Sequence, residues 1–226
     1  MSWLKALQRF VSPVAGEAPS RWVVLDVETT GLDAARDELL AIAALGLAHD
    51  PTQPERPPRV VLADSFELLL HSEGRAQPDA EFKRNVLIHG IGLEARRQGV
   101  PRAAGLQAFV DWLGPSPQLP LLGFHIGFDE AVIQRALRAE LGRRLPNPWI
   151  DLAPVVQALD PAGRPRSLDE AMEAHGIACL QRHQASADAL ATAELLQALW
   201  PALVQRRAAG IRALQDMAAQ RRWLGG

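Results

Sequence analysis

The sequence predicts an α/β domain built on one mixed sheet flanked by helices. Two observations carry that expectation. Three apolar, β-rich runs follow one another between residues 22 and 70 with only loop signals between them. Beyond residue 100, short apolar runs alternate with stretches of helical spacing. Size and composition agree: 226 residues, 48% apolar and 22% charged, are enough for a sizeable core without covalent staples and unlike a disordered or fibrous chain.

Residues 1–20 read as an amphipathic appendage. Trp3, Leu4, Leu7, Phe10 and Val11 fall at helical spacing, and Pro13, Gly16 and Pro19 break it. The run Trp22-Val23-Val24-Leu25-Asp26-Val27 is β-branched and too short for a helix, and Thr29-Thr30-Gly31-Leu32 closes it. Leu39 to Leu47 is the second run, and the proline-rich stretch Pro51 to Pro58 parts it from the third, Val60 to Leu70. Strands joined without helices pair most simply as an antiparallel meander, so these three are expected to be neighbours. Residues 72–102 are polar and irregular, with short helical pieces around Ile88-His89-Gly90-Ile91.

Leu106, Phe109, Val110 and Leu113 mark a helix ended by Gly114 and Pro115. Leu119 to Phe124 is a candidate buried strand, and Val132, Ile133, Ala136, Leu137 and Leu141 define the helix after it. Trp149-Ile150-Asp151-Leu152 is the last strand-like run, and the rest reads as helical. The expected organisation is therefore an appendage over 1–20, a domain over 21–200 and a helical extension over 201–226. In that extension Leu203, Val204, Ile211, Leu214 and Met217 form a stripe bordered by Arg206, Arg207, Arg212, Arg221 and Arg222. Such terminal helices can pack on the domain, on a second copy or on a partner.

Composition removes several kinds of chemistry. The single cysteine, Cys179, excludes an intrachain disulfide framework and a cysteine-built zinc site, and fits a reducing, cytoplasmic setting. The chain has no tyrosine, so no catalytic phenol is available. A formal charge of -2 is not that of a body coating duplex nucleic acid. No apolar run approaches the roughly 18 residues of a membrane span, so no membrane association is expected.

Acidic residues stand in three places otherwise patterned for burial. Asp26 and Glu28 are two apart on a strand, so both carboxylates project to one face at the end of an apolar run. Asp129 occupies the first position of the helical stripe continued by Val132, Ile133, Ala136 and Leu137. Asp188 begins the stripe Asp188, Thr192, Leu195, Leu199, just after His183. Taken singly, each has an ordinary reading: a solvated strand end, an acid complementing a helix dipole, a loop histidine. Taken together, four carboxylates aimed at interior surface would each lose several kcal/mol of hydration unless cations joined them. An oxygen-only donor set suits two Mg²⁺ or Mn²⁺ ions, which can clamp the attacking and leaving oxygens of a phosphodiester. His183 is then the candidate base for the attacking water.

These residues resemble a known family. Asp26-Val27-Glu28-Thr29-Thr30-Gly31-Leu32 is similar to the first motif of the DEDD 3′–5′ exonucleases. Phe124-His125-Ile126-Gly127-Phe128-Asp129 resembles the second, and His183-x-Ala185-x-x-Asp188-Ala189 the third, whose histidine marks the DEDDh branch that includes proofreading epsilon-type polymerase subunits. Ile88-His89-Gly90-Ile91 and Ser167-Leu168-Asp169 are softer similarities in the same order. The resemblance spans roughly residues 20–200.

It implies a ribonuclease H-like fold and release of nucleoside 5′-monophosphates from a nucleic acid 3′ end. Asp26, Glu28 and Asp188 would hold one metal, Asp26 would bridge to a second, and Asp129 would reach that second ion. Thr29, Thr30, Gly31 and Leu32 would lie against the terminal nucleotide. The motif often carries asparagine where this chain has His125, so His125 is a substrate-contact candidate with a different donor pattern. DNA, single-stranded or frayed, is the expected substrate; an exoribonuclease of the same fold and an inactive nucleic-acid-binding module are the alternatives. A polymerase is a candidate partner for the terminal helices. Of 24 basic residues only Lys5 and Lys83 are lysine, and Arg135, Arg138, Arg143 and Arg144 are either a patch contacting the nucleic acid backbone or a solvated helix face.

Overall fold

A computed structural model describes residues 20–73, 80–160, 162, 167–179 and 181–224. Residues 1–19, which carry the expected N-terminal amphipathic segment, lie outside the described residues, as do the side chains of Arg221 and Arg222.

The first strand, β1 (Arg21–Thr29), pairs antiparallel with β2 (Leu39–Ala48), which pairs antiparallel with β3 (Arg59–Leu69). This is the expected meander. Two short helices follow, α1 (Ala80–His89) and α2 (Leu93–Gln98), and then α3 (Arg102–Leu113). Strand β4 (Leu121–Gly123) adds to the other side of β1 in parallel and continues through α4 (Gly127–Leu141) to β5 (Trp149–Asp151), parallel to β4. The sheet order is β3-β2-β1-β4-β5. The remaining helices are α5 (Leu152–Leu159), α6 (Leu168–His175), α7 (Ala185–Gln205) and α8 (Ile211–Leu224).

The reason β1 reads as a nearly unbroken apolar run is that both its faces are covered. Trp22 and Val24 face one core, shared with α5, α6, α7 and α8; Val23, Leu25 and Val27 face the other, shared with α3 and α4. Helix α7 is pinned over the sheet at its far end. Trp200 lies against Trp22 and His49, with ring centroids 5.9 and 5.6 Å away, and its Nε1 donates to the Pro54 carbonyl at 3.0 Å. Gln197 Nε2 donates to the Pro58 carbonyl at 2.8 Å, so the proline-rich stretch between β2 and β3 straps this helix.

Helix α8 covers its own domain, packing on α5 and β5, with Leu214 fully buried. Residue 200 lies within α7, which runs on to Gln205. No described helix is long and apolar enough to cross a membrane.

Candidate active site

Strand β1 delivers the first two carboxylates. Residues 22, 24, 26 and 28 share one strand face, so Asp26 and Glu28 continue the Trp22–Val24 face beyond the core, toward the start of α7. A register shift at Glu28/Thr29 ends regular pairing there, a common device for re-aiming side chains at a site. The loop that follows is tightly folded. Thr30 donates from Oγ1 to Asp37 at 2.8 Å and accepts the Glu38 N–H at 2.9 Å, while Asn85 of α1 donates to the Thr30 carbonyl. Leu32 projects from this loop 91% exposed.

The parallel pairing of β4 brings the second motif alongside. Val24 pairs with Leu122, so Gly123 sits beside Leu25; a Cβ on Gly123 would stand 3.0 Å from the Leu25 carbonyl oxygen. The turn Phe124-His125-Ile126 then enters α4, whose third residue is Asp129. Asp129 is only 6% exposed, and the backbone N–H groups of Asp129 itself and Val27 favour its charged form. His125 is held by Asp151 at the end of β5, whose Oδ1 accepts the His125 N–H at 2.9 Å and the Ala153 N–H at 3.0 Å. Phe128 packs on the α3–α4 core.

Asp188, 5% exposed, lies in the first turn of α7. Its Oδ2 accepts the His183 N–H at 3.2 Å and its Oδ1 is ion-paired with Arg182. The His183 side chain is open to solvent. Both histidines of the candidate site have left-handed backbones, with φ of 57° at His125 and 61° at His183. Such conformations cost a non-glycine residue energy and cluster at functional sites.

The carboxylates are buried in one region, and burial outweighs their mutual repulsion. Burial pushes Asp26 well above its ordinary range, and Asp129, Asp188 and Glu28 push it further; Arg182 is the cation that offsets them. Burial, then Asp188 and Asp129, pushes Glu28 up to about 8, against the same Arg182. Burial pushes Asp129 up to about 8, with Asp151 adding to it and the two backbone N–H groups opposing it. The structure thus brings Asp26, Glu28, Asp129 and Asp188 into one electrostatic cluster that is short of positive charge.

Hard oxygen donors lacking counter-charge are the ligand chemistry of Mg²⁺ or Mn²⁺, and these residues fit such ions. Among the described residues, no three His, Cys, Asp or Glu side chains already close around a common point. Asp188 is engaged with Arg182 instead.

Sequence reasoning did not find Arg182, Asn85, Asp37 or Asp151. Asp151 carried the same signal as Asp26, an acid ending an apolar strand run. Asn85 acts through a contact across the fold, and Asp37 through contacts inside the loop after β1. The arginine cluster is divided: Arg143 donates to Gln107 on α3 at 2.9 Å and Arg135 to the Asp37 carbonyl. Arg135, Arg138 and Arg144 line a surface cavity of about 370 Å³ along α4, with Gly127 at its head.

Comparison with known proteins agrees with this picture. The family described as RNase_T, exonuclease, matches residues 23–196. A relative, the DNA polymerase III PolC-type of Latilactobacillus sakei subsp. sakei (strain 23K), is 27% identical over 188 residues, 80% of this chain and 11% of the relative. Among solved structures, E. coli exonuclease I in complex with a dT13 oligonucleotide superposes with a TM-score of 0.67 at 22% identity, covering 84% of this chain and 43% of that one. The zinc-ion-bound form of the E. coli ExoI–ssDNA complex gives 0.65 at 22%, covering 83% and 41%. The chain therefore spans about a tenth of the curated relative and under half of the solved chains. Its fold is the ribonuclease H-like exonuclease fold, and with the family match over most of its length the chain belongs to the RNase_T exonucleases of the DEDDh type.

Proposed function

We propose that the protein is a metal-dependent 3′–5′ exonuclease that shortens single-stranded or frayed DNA, releasing nucleoside 5′-monophosphates. One observation carries this reading: four carboxylates from β1, α4 and α7 gather at the end of β1, where burial first and neighbouring acids second push Asp26, Glu28 and Asp129 upward in pKa. The complexes of E. coli exonuclease I with single-stranded DNA support DNA as substrate.

Asp26, Glu28 and Asp188 would hold one divalent ion, with Asp26 and Asp129 holding a second. When bound, Mg²⁺ or Mn²⁺ ions supply charge stabilisation to the attacking and leaving oxygens of the phosphodiester. The side chains do the rest. A ring nitrogen of His183 takes a proton from the attacking water. The water oxygen bonds to the terminal phosphorus, the P–O3′ bond breaks, and the shortened strand's 3′ oxygen acquires a proton from solvent. The loop Thr29-Thr30-Gly31-Leu32, braced by Asp37 and Asn85, orients the terminal nucleotide, with the exposed Leu32 against its base. His125, fixed by Asp151, contacts the scissile phosphate.

The test is digestion of 5′-labelled and 3′-labelled DNA and RNA single strands with Mg²⁺, Mn²⁺ or EDTA. The expected result is stepwise shortening of 5′-labelled DNA and immediate release of a 3′ label as mononucleotide, with either metal and not with EDTA. Internal cutting, or cutting in EDTA, would contradict it; faster digestion of RNA would reassign the substrate.

A further inference from the structure

Arg182 stands between two carboxylates of very different exposure. Its Nε donates to Asp169 Oδ1 on α6, and its Nη1 is paired with Asp188 Oδ1 on α7. The Asp169 side chain is 61% exposed and that of Asp188 only 8%. The rigid, forked guanidinium is what allows one side chain to reach both. The other oxygen of Asp188 accepts the His183 N–H. Both oxygens of a carboxylate assigned to metal binding are therefore engaged by the turn that carries the candidate base.

Resting on the reading of Asp188 as a metal ligand, we propose that Arg182 is a positioning residue that shares Asp188 in turn with a divalent cation, with Asp169 as the anchor that holds the guanidinium when it leaves. A buried carboxylate without a partner is strongly disfavoured, and Arg182 meets that need at Asp188. Asp169 makes the exchange inexpensive, because the released guanidinium keeps one ion pair in a solvent-exposed place. Arg182 thereby sets the affinity of the site and keeps the turn bearing His183 in register.

The test is Mn²⁺ binding by calorimetry and by electron paramagnetic resonance, on full-length protein stripped with EDTA and dialysed. Arg182→Gln should bind Mn²⁺ about tenfold more tightly, within the usual range for coupled sites. Asp169→Asn should bind more weakly, since Arg182 then has Asp188 as its sole carboxylate partner. The double variant should match Arg182→Gln alone. Long-range charge effects would instead add, leaving the Asp169→Asn loss visible in the double variant. Arg182→Lys, which keeps the charge and loses the fork, should also tighten binding.

Unchanged or weaker binding by Arg182→Gln, or a loss that persists in the double variant, would overturn the proposal while leaving the metal reading intact. No Mn²⁺ binding by wild type and Arg182→Gln alike would overturn both.

Discussion

At the scale of single residues, the candidate site is made of side chains whose surroundings oppose their chemistry. Asp129 and Asp188 are buried acids, and His125 and His183 sit at positive φ. The backbone of His183 decides how its role can be tested. Alanine at φ 61° would add strain, whereas asparagine tolerates the left-handed region. His183→Asn should lower nucleotide release about 10²–10⁴-fold, the usual contribution of a general base, with Mn²⁺ affinity unchanged. A steady-state rate near wild type would move the base elsewhere. The four acids were legible in the sequence because each interrupts an apolar pattern: Asp26 and Glu28 a period of two, Asp129 and Asp188 a helical stripe. Arg182 and Asn85 interrupt nothing. Their roles come from Asp188 and Thr30, six and 55 positions away, and no local pattern marks such pairs.

At the scale of elements, the site depends on how strands and helices end. Strand β1 stops at a register shift, β4 ends with Gly123 beside Leu25 just ahead of α4, and α7 enters the cluster by its first turn while Trp200 anchors its other end. Strands β1, β2 and β3 were legible because apolar runs with no helical spacing, parted only by loop signals, leave few alternatives. The parallel pairing of β4 with β1 was not, since it joins Val23 to Leu121 across nearly 100 residues.

Helix α8 settles a choice the sequence left open for its stripe, because Leu214 is spent on the α5 side of its own domain. Leu214→Ala should cost about 2–5 kcal/mol, lowering Tm by about 2–4 °C per kcal/mol, equally at low and high protein concentration. A concentration-dependent loss would show that this face serves a second copy. Gly99 closes α2 against Leu70, whose backbone a Cβ would strike. Gly99→Ala should therefore weaken the Leu70–Val100 bridge and lower Tm.

At the scale of the whole molecule, stability is coupled to the charge of the cluster. Glu28 rises from 4.5, and Asp129 from 3.8, to about 8 in the folded chain. A carboxyl raised on folding contributes stability that is full below its unfolded pKa and is lost as pH climbs through the folded value. In EDTA, Tm should therefore decline between about pH 4 and pH 8 on account of these two groups. Asp129→Asn should flatten the decline. Because bound cations favour the ionised carboxylates, the Tm increase on adding Mn²⁺ should grow across the same interval. A constant increment from pH 5 to pH 8 in differential scanning calorimetry would dissociate the acids from metal binding. The net charge of -2 fits a protein that grips its substrate locally, and Arg135, Arg138 and Arg144 line a cavity along α4.

On the proposed function, the acids at the end of β1 form a centre for two divalent ions that drives release of terminal nucleotides. Its most direct test measures Mn²⁺ stoichiometry and nucleotide release on the same preparations of wild type and Asp26→Asn. Wild type should bind two ions per chain with release rising as the second ion binds, and Asp26→Asn should lose both while circular dichroism shows the fold retained. Release at the wild-type rate by Asp26→Asn, or by wild type in EDTA, would contradict it.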